Sequence, residues 1–301
     1  LNWKKVVKPL FYSILFADNL SKMYYATLPR EIQKGTAARL RDKYIHLAQP
    51  LISESNIKGV TNLLKQAVEE FNKVETHSES VPKVGIVGEI YVKYNPFGNS
   101  HIVQWLQEQN VEVVVPPLLD FMIQGFVNVR VNKKANLDRT GPSIYTKILE
   151  FIANRTIKKI EKIMSDFRYY TPYSSIYHEA ENAEKIIDLA NQFGEGWLIP
   201  AEISSFAKNG VNHVVSLQPF GCIANHVISK GIEKKIKLSF PDMNLLFLDF
   251  DSGTSEVNIH NRLYFLVRNA KEHTEQKLSN LTVADETGVL PITCVEEEVQ
   301  S

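Results

Sequence analysis

The hydrophobic positions of this chain change period near residue 80. Before it there is no strand-like alternation. Phe11, Ile14, Leu15 and Leu20 fall roughly on helical spacing, and Leu64, Ala67, Val68 and Phe71 do so more cleanly. This predicts a helical region over 1–80, interrupted near Pro29 and Pro50. Ser78–Ser80 and Pro82 read as a linker. Beyond it, short apolar runs alternate with amphipathic stretches. Val84–Gly88, Glu112–Val115, His213–Leu217 and Leu245–Asp249 read as strands. Helical spacing at Ser100–Gln109 and Asn225–Leu238 turns them into βαβ units, whose strands are parallel. The expected fold is α/β: a Rossmann-like, four-stranded, mainly parallel sheet over 81–277 with an additional helical N-terminal region.

A helical insertion of about 120–192 separates the second and third strands. Within it Phe121–Val131 is apolar and loop-like, NKKANLDRTGPS is rich in turn formers, and Ile144–Phe167 and Glu179–Gln192 have helical spacing. Pro200 suits the first turn of a helix reaching about Lys208. Thr254 and Ser255 are placed to cap a helix over Val257–Lys271. Residues 278–301, with Cys294 and an acidic EEE, lack strong periodicity and read as a tail.

Composition narrows the class without naming a function. The 301 residues are 44% hydrophobic and 23% charged, and 34 basic residues balance 34 acidic ones, so no global field argues for nucleic acid or an anionic membrane. Arg30, Arg39 and Arg41, and the basic run Arg155, Lys158, Lys159 and Lys162, read as exposed helical charge, since acids lie nearby and aromatic interleaving is missing. Two distant cysteines argue against a disulfide framework and for a reducing, cytoplasmic setting. No apolar run is long enough to span a membrane. The basic, apolar start LNWKKVVKPLFYSILFADNL lacks an initiator Met and a cleavage site, so the expectation is a piece of a longer chain.

The candidate chemistry gathers at the carboxyl ends of the strands, where open α/β sheets bind ligands. Cys222 follows Gly221 at the start of a predicted helix, where the dipole and free N–H groups stabilise a thiolate. His226 is four residues on, on the same helical face, a spacing compatible with a Cys–His pair; burial of Cys222 and capping by His226 are the plain alternatives. Gln218 and Asn225 share this loop. Asp249 and Asp251 end the fourth strand, to orient a ligand or cap the next helix. Glu89, Asn95 and Asn99 follow the first strand, and Asn99 can cap a helix. Glu195 sits in a Gly-Glu-Gly turn. Gly85 and Gly88 begin no dinucleotide or P-loop pattern. Scattered His and two Cys give no closed zinc set.

The segments VGIVGEIYVKYNPFGN, EGWLIPAEI, QPFGCIANHVISKG and LDFDSGTSEVNIHNR resemble the large proteins related to the activases and components of 2-hydroxyacyl-CoA dehydratases. The likeness runs from about 81 to 270 and extends into the helical segment before it. QPFGC-x-x-NH is its most specific part, with Ala224 where the family commonly has proline. The resemblance implies Rossmann-like lobes, cysteines that hold a [4Fe-4S] cluster, and Cys222 as one such metal ligand. It implies further ligands from the rest of a parent chain, a redox partner or a second subunit. The expected function is a lobe of an iron–sulfur electron-transfer protein; the alternative is a non-catalytic scaffolding lobe, and a thiol-dependent hydrolase comes third.

Overall fold

The computed structural model describes residues 3–138, 140–172, 174–251 and 253–287. Its N-terminal region is helical: α1 (Trp3–Thr27), α2 (Thr36–Ser53) and α3 (Ile57–Asn72). The interruption at Pro29 is a short 3-10 turn, Leu28–Arg30. Pro50, in contrast, lies inside the last part of α2 and does not interrupt it.

The α/β part follows with β1 (Lys83–Gly88), α4 (Ile90–Tyr94), α5 (Ile102–Glu108) and β2 (Glu112–Val114). The excursion is α6 (Leu118–Ile123), α7 (Gly125–Lys134), α8 (Ile144–Met164) and α9 (Ile176–Glu184). Then come α10 (Leu198–Lys208), β3 (His213–Pro219), α11 (Glu233–Ser239), β4 (Asn244–Phe250) and α12 (Glu256–Thr287). No helix among the described residues is long and apolar enough to cross a membrane.

All four strands are parallel, in the order β2-β1-β3-β4. The side-chain period of two splits them between two faces. Val84 and Ile86 of β1 and Val215 and Leu217 of β3 pack with Ile102 and Leu106 of α5 and Leu263 and Leu266 of α12. Val87 and Val214 point the other way, to Ile203 and Phe206 of α10 and Ile236 of α11. Near-continuous apolar strands are what a sheet covered on both faces requires.

The helical region and the insertion share a third core, into which Leu198 and Ala201 of α10 also pack. Helix α10 therefore binds the sheet with Ile199, Ile203 and Phe206 and the helical layer with its opposite side.

From β1 the chain moves to one side, to β2, and later returns to the other side, to β3. The topological switch point thus lies between β1 and β3, and the loops after them diverge there. Gly88 marks the place. Its φ is +124°, and a Cβ on it would lie 2.0 Å from the carbonyl oxygen of Leu217.

Four local expectations are corrected. Phe121–Val131 is helical: Leu119, Ile123 and Val127 recur every four residues and are buried. Asn225–Leu238 is not one helix. Ala224–Ser229 is wound wider as a π turn, and α11 begins only at Glu233. Ser229 Oγ bonds Ser216 Oγ at 2.8 Å inside the core, pinning that turn to β3 while Ile232 and Ile236 face the α10 side of the sheet. Glu179–Gln192 forms helix only to Glu184. Helix α12 continues to Thr287, into the expected tail, because no Gly or Pro stands between Gly253 and Gly288. Cys294 lies outside the described residues.

The two β1 glycines yield an ordered prediction. A Cβ on Gly85 meets the Phe206 ring at 2.5 Å, and a ring can rotate aside. Gly85→Ala should cost about 1–3 kcal/mol. Gly88→Ala combines a left-handed φ with a backbone clash and should cost more, upward of about 3 kcal/mol. Urea unfolding measures both, and the reverse order would contradict the packing described.

Candidate functional site

After β1, local backbone groups occupy the predicted side chains. Glu89 Oε2 accepts from the Val92 N–H at 3.0 Å, capping α4. Asn95 Oδ1 accepts from the N–H groups of Phe97 and Gly98. Asn99 Nδ2 donates to the Val92 carbonyl, and its Oδ1 accepts from Ile102 N–H at the start of α5. Glu195, placed by the turn before α10, arrives at the same point: its Oε1 accepts from Ile90 N–H at 2.6 Å. Burial raises the Glu195 carboxyl above its usual range, the Ile90 N–H opposes this, and Glu89 adds to the rise. Glu89 and Glu195 are thus neighbours at the switch point, as helix-terminus ligands.

After β3, Gln218 is fully buried, and neither side-chain polar atom meets a hydrogen-bond partner in the protein. Gly221 turns the chain with a φ of +81°. Cys222 follows, half-buried. The Gly221 N–H donates to His226 Nε2 at 3.1 Å, so that nitrogen is an acceptor, while Nδ1 lies 3.4 Å from Lys230 Nζ and 3.6 Å from Asp249. Lys230 Nζ binds Asp249 at 2.9 Å. With its Nε2 lone pair taken by Gly221, His226 is positioned as a loop brace and not as a base for a thiol.

Asp251 also closes a loop, accepting from Gly253 N–H and from Thr254 Oγ. The Asn225 backbone lies in the π turn; its side chain is outside the described residues. The structure therefore brings Gln218, Gly221, Cys222, His226 and Asp249 to one sheet edge with Glu89 and Glu195. It uses Asn95, Asn99 and Asp251 for turns and caps.

Exposed apolar side chains stand on the segments after β1 (Tyr91, Phe97) and β3 (Phe220, Ile223, Val227) and on the turn before α10 (Phe193); they are 59–87% exposed. A [4Fe-4S] cluster asks for four thiolates, and the described residues present one, Cys222. Among the described residues no group of three His, Cys, Asp or Glu side chains could hold a metal ion. The described residues do not fit such a cluster by themselves.

A second arrangement, inside the molecule, has no motif. A cavity of about 300 Å³ lies between α1, α6, the α9–α10 pair and edge strand β2. Asp18 and Lys22 of α1, Asp120 of α6, Glu179 of α9 and Glu202 of α10 line it. Asp18 accepts from the N–H groups of Leu118 and Leu119, both at 3.1 Å, fastening α1 to the start of α6. Glu202 Oε1 binds Lys93 of α4 at 2.8 Å, with both side chains almost wholly buried.

Burial dominates the titration of this set. It lifts Asp18 to about 6, against the two backbone N–H groups, and Glu202 to about 7, against Lys93. It raises Asp120 well above the carboxylate range, where Glu179 and Glu202 push further in the same direction. It lowers Lys22 to about 8 although Asp120 and Asp18 support its charge. Asp18, Lys22 and Asp120 keep some accessible surface despite their depth because that surface faces the cavity.

These residues each interrupt an apolar run: Asp18 and Lys22 four apart among Leu15, Phe16, Leu20 and Met23, Asp120 in PPLLDFMI, and Glu202 in WLIPAEI. A charge inside an apolar stretch is the signal that reports them.

Comparison of the chain with models of protein families, with curated proteins and with solved structures finds no match.

Asp18 gives the cavity a measurable pH signature. Its folded carboxyl titrates near 6 and an unperturbed one at 3.8, so the folded state holds the extra proton in between. The stability it contributes is complete below about pH 4 and is lost as pH rises through 6, amounting to at most about 3 kcal/mol. Asp18→Asn should remove that slope between pH 4 and 6.5 while lowering stability by a constant amount for the lost acceptor. Parallel stability–pH curves for the two proteins would contradict the assignment.

Proposed function

We propose that the chain is one lobe of an iron–sulfur redox system of the kind to which 2-hydroxyacyl-CoA dehydratases and their activases belong. It acts by presenting the Cys222 edge to a second polypeptide or to a further part of its own. The observation that carries this reading is the exposed Phe220, Ile223 and Val227 beside a cysteine at the switch-point end of a parallel sheet. Exposed apolar surface of this kind marks interaction sites. The likeness of QPFGC-x-x-NH to the family supports the redox role, and the single described cysteine makes it a shared one: a partner would supply the remaining thiolates. The cluster, when bound, would carry one-electron chemistry. This chain's own part is to position Cys222 through the Gly221 turn, brace it with the Gly221–His226–Asp249 contacts, and offer the exposed Phe220, Ile223 and Val227 as the apolar surface on which a partner closes.

A second reading, a non-catalytic interaction lobe, is favoured by α8. Ile144, Tyr145, Ile148, Phe151 and Ile152 recur at helical spacing on it and are all more than half exposed. Both readings make the lobe part of a larger assembly; they differ in whether the thiol matters.

Anaerobic incubation with ferric iron and sulfide, with excess dithiothreitol present to reduce part of the iron and complete the ligand set, separates them. The redox reading expects protein-bound iron and visible charge-transfer absorption after gel filtration, both lost in Cys222→Ala, and rapid alkylation of Cys222 in the native protein. Equal iron in both proteins, or a Cys222 that resists iodoacetamide, contradicts it and leaves the interaction lobe.

A further inference from the structure

The cavity beside α1 is lined by more acidic than basic side chains. Asp18, Asp120, Glu179 and Glu202 line it together with Lys22. Lys93, behind Glu202, is bonded to Glu202 Oε1 at 2.8 Å. At the other end Glu112 is matched by Arg30 at 2.6 Å and Lys83 at 3.8 Å, so that end is balanced. Two carboxylate oxygens are left over. Glu202 Oε2 and Glu179 Oε2 are buried, on residues only 5% exposed, and meet no hydrogen-bond donor within the protein. Ser174 and Ser205 lie close enough to Glu179 to favour its charge, yet they do not reach Oε2 with hydrogen-bond geometry. Buried acceptors without donors are costly and rare.

The walls supply the other half of a recognition site. Tyr25, Tyr94 and Tyr170 present aromatic rings, and Met164, Phe206 and Pro117 add apolar surface. Aromatic faces beside carboxylates attract ammonium groups, and apolar walls accept an alkyl stem. The space is far larger than a bare ion needs, and among the described residues no three acid, His or Cys groups converge for a metal. We infer that this cavity is a binding site for a small organic cation, a primary amine or short diamine, whose ammonium group is held by Glu179 and Glu202 with Asp120 opposite.

Burial favours the neutral form of these acids, so an ammonium ligand that draws out their charged form releases protons as it enters. The groups that bear on these acids are Asp18, Lys22 and Tyr25 of α1, Lys93 and Tyr94 of α4, Asp120 of α6, Glu161 of α8, His178 and Glu179 of α9, and Glu195, Glu202 and Lys208 at α10. Glu202 reaches its charged form as pH rises through about 7 and Asp18 through about 6. Binding should therefore tighten from pH 6.0 to pH 7.5.

Calorimetric titration of the whole chain with butane-1,4-diamine and with n-butylamine tests this, using n-butyrate and magnesium as controls. The expected result is saturable binding of an amine and of neither control. Affinity should be at least about five-fold higher at pH 7.5 than at 6.0, with heats that depend on the buffer's own ionisation heat because protons are released. Glu179→Gln should weaken binding at least about ten-fold, the scale of one charged contact. Asp120→Asn serves the same purpose if the first variant does not fold. Cys222→Ala, outside the cavity lining, should bind the amine as the wild type does, which keeps this test separate from the iron experiment. No saturable amine binding, butyrate binding as tight as butylamine, or an affinity that is flat in pH would overturn the inference.

Discussion

The buried ion pair between Lys93 and Glu202 is the constraint on which the arrangement of this molecule depends. Lys93 lies on the short helix that follows β1, and Glu202 on the helix that leads into β3, so their contact ties together the flanks of the two strands at the switch point. Both side chains are out of water, where charges are tolerated only in pairs with good geometry. Burial pulls Glu202 toward its neutral form and Lys93 opposes it. The pair also fixes α10, whose two faces join the sheet to the helical layer. Asp18 adds the next link, holding α1 to the first turn of α6. These polar contacts add to the apolar core that α10 shares with the helical region.

This joint separates two places where chemistry can occur. Outside it, the loop after β3 holds a half-buried cysteine beside exposed apolar side chains. Inside it, carboxylates with raised affinity for protons line a cavity. Strongly perturbed groups in a concave site are a signature of function, and here they come from α1, α6, α9 and α10, elements far apart in the chain. The helical region is accordingly part of the inner site, since Asp18 and Lys22 belong to α1.

Much of the framework was legible in the sequence because it rests on local periodicity. Four apolar runs announced the four strands, and the amphipathic segments between them required parallel pairing. Gly221 and Cys222 were placed at the correct sheet edge by the same logic. What periodicity could not supply was partnership across long separations. That Glu195 would meet Ile90, or that His226 would receive the Gly221 N–H, follows from tertiary placement. Phe121–Val131 misled because its helical face is short and broken near Gly125, and the helix after Cys222 because Ser229 is held by Ser216. The cavity was invisible as a motif: its residues are single charges in apolar runs, and only the packing of α1 against α6 and α10 collects them.

A double-mutant cycle on Lys93 and Glu202 tests the joint most directly. Lys93→Met and Glu202→Leu, each alone, leave one charge buried without its partner and should each cost about 3–5 kcal/mol in urea unfolding. The double variant should be more stable than either single one, because both charges are gone together. Single costs that simply add in the double variant would contradict the claim that this buried pair holds the two halves of the structure in place.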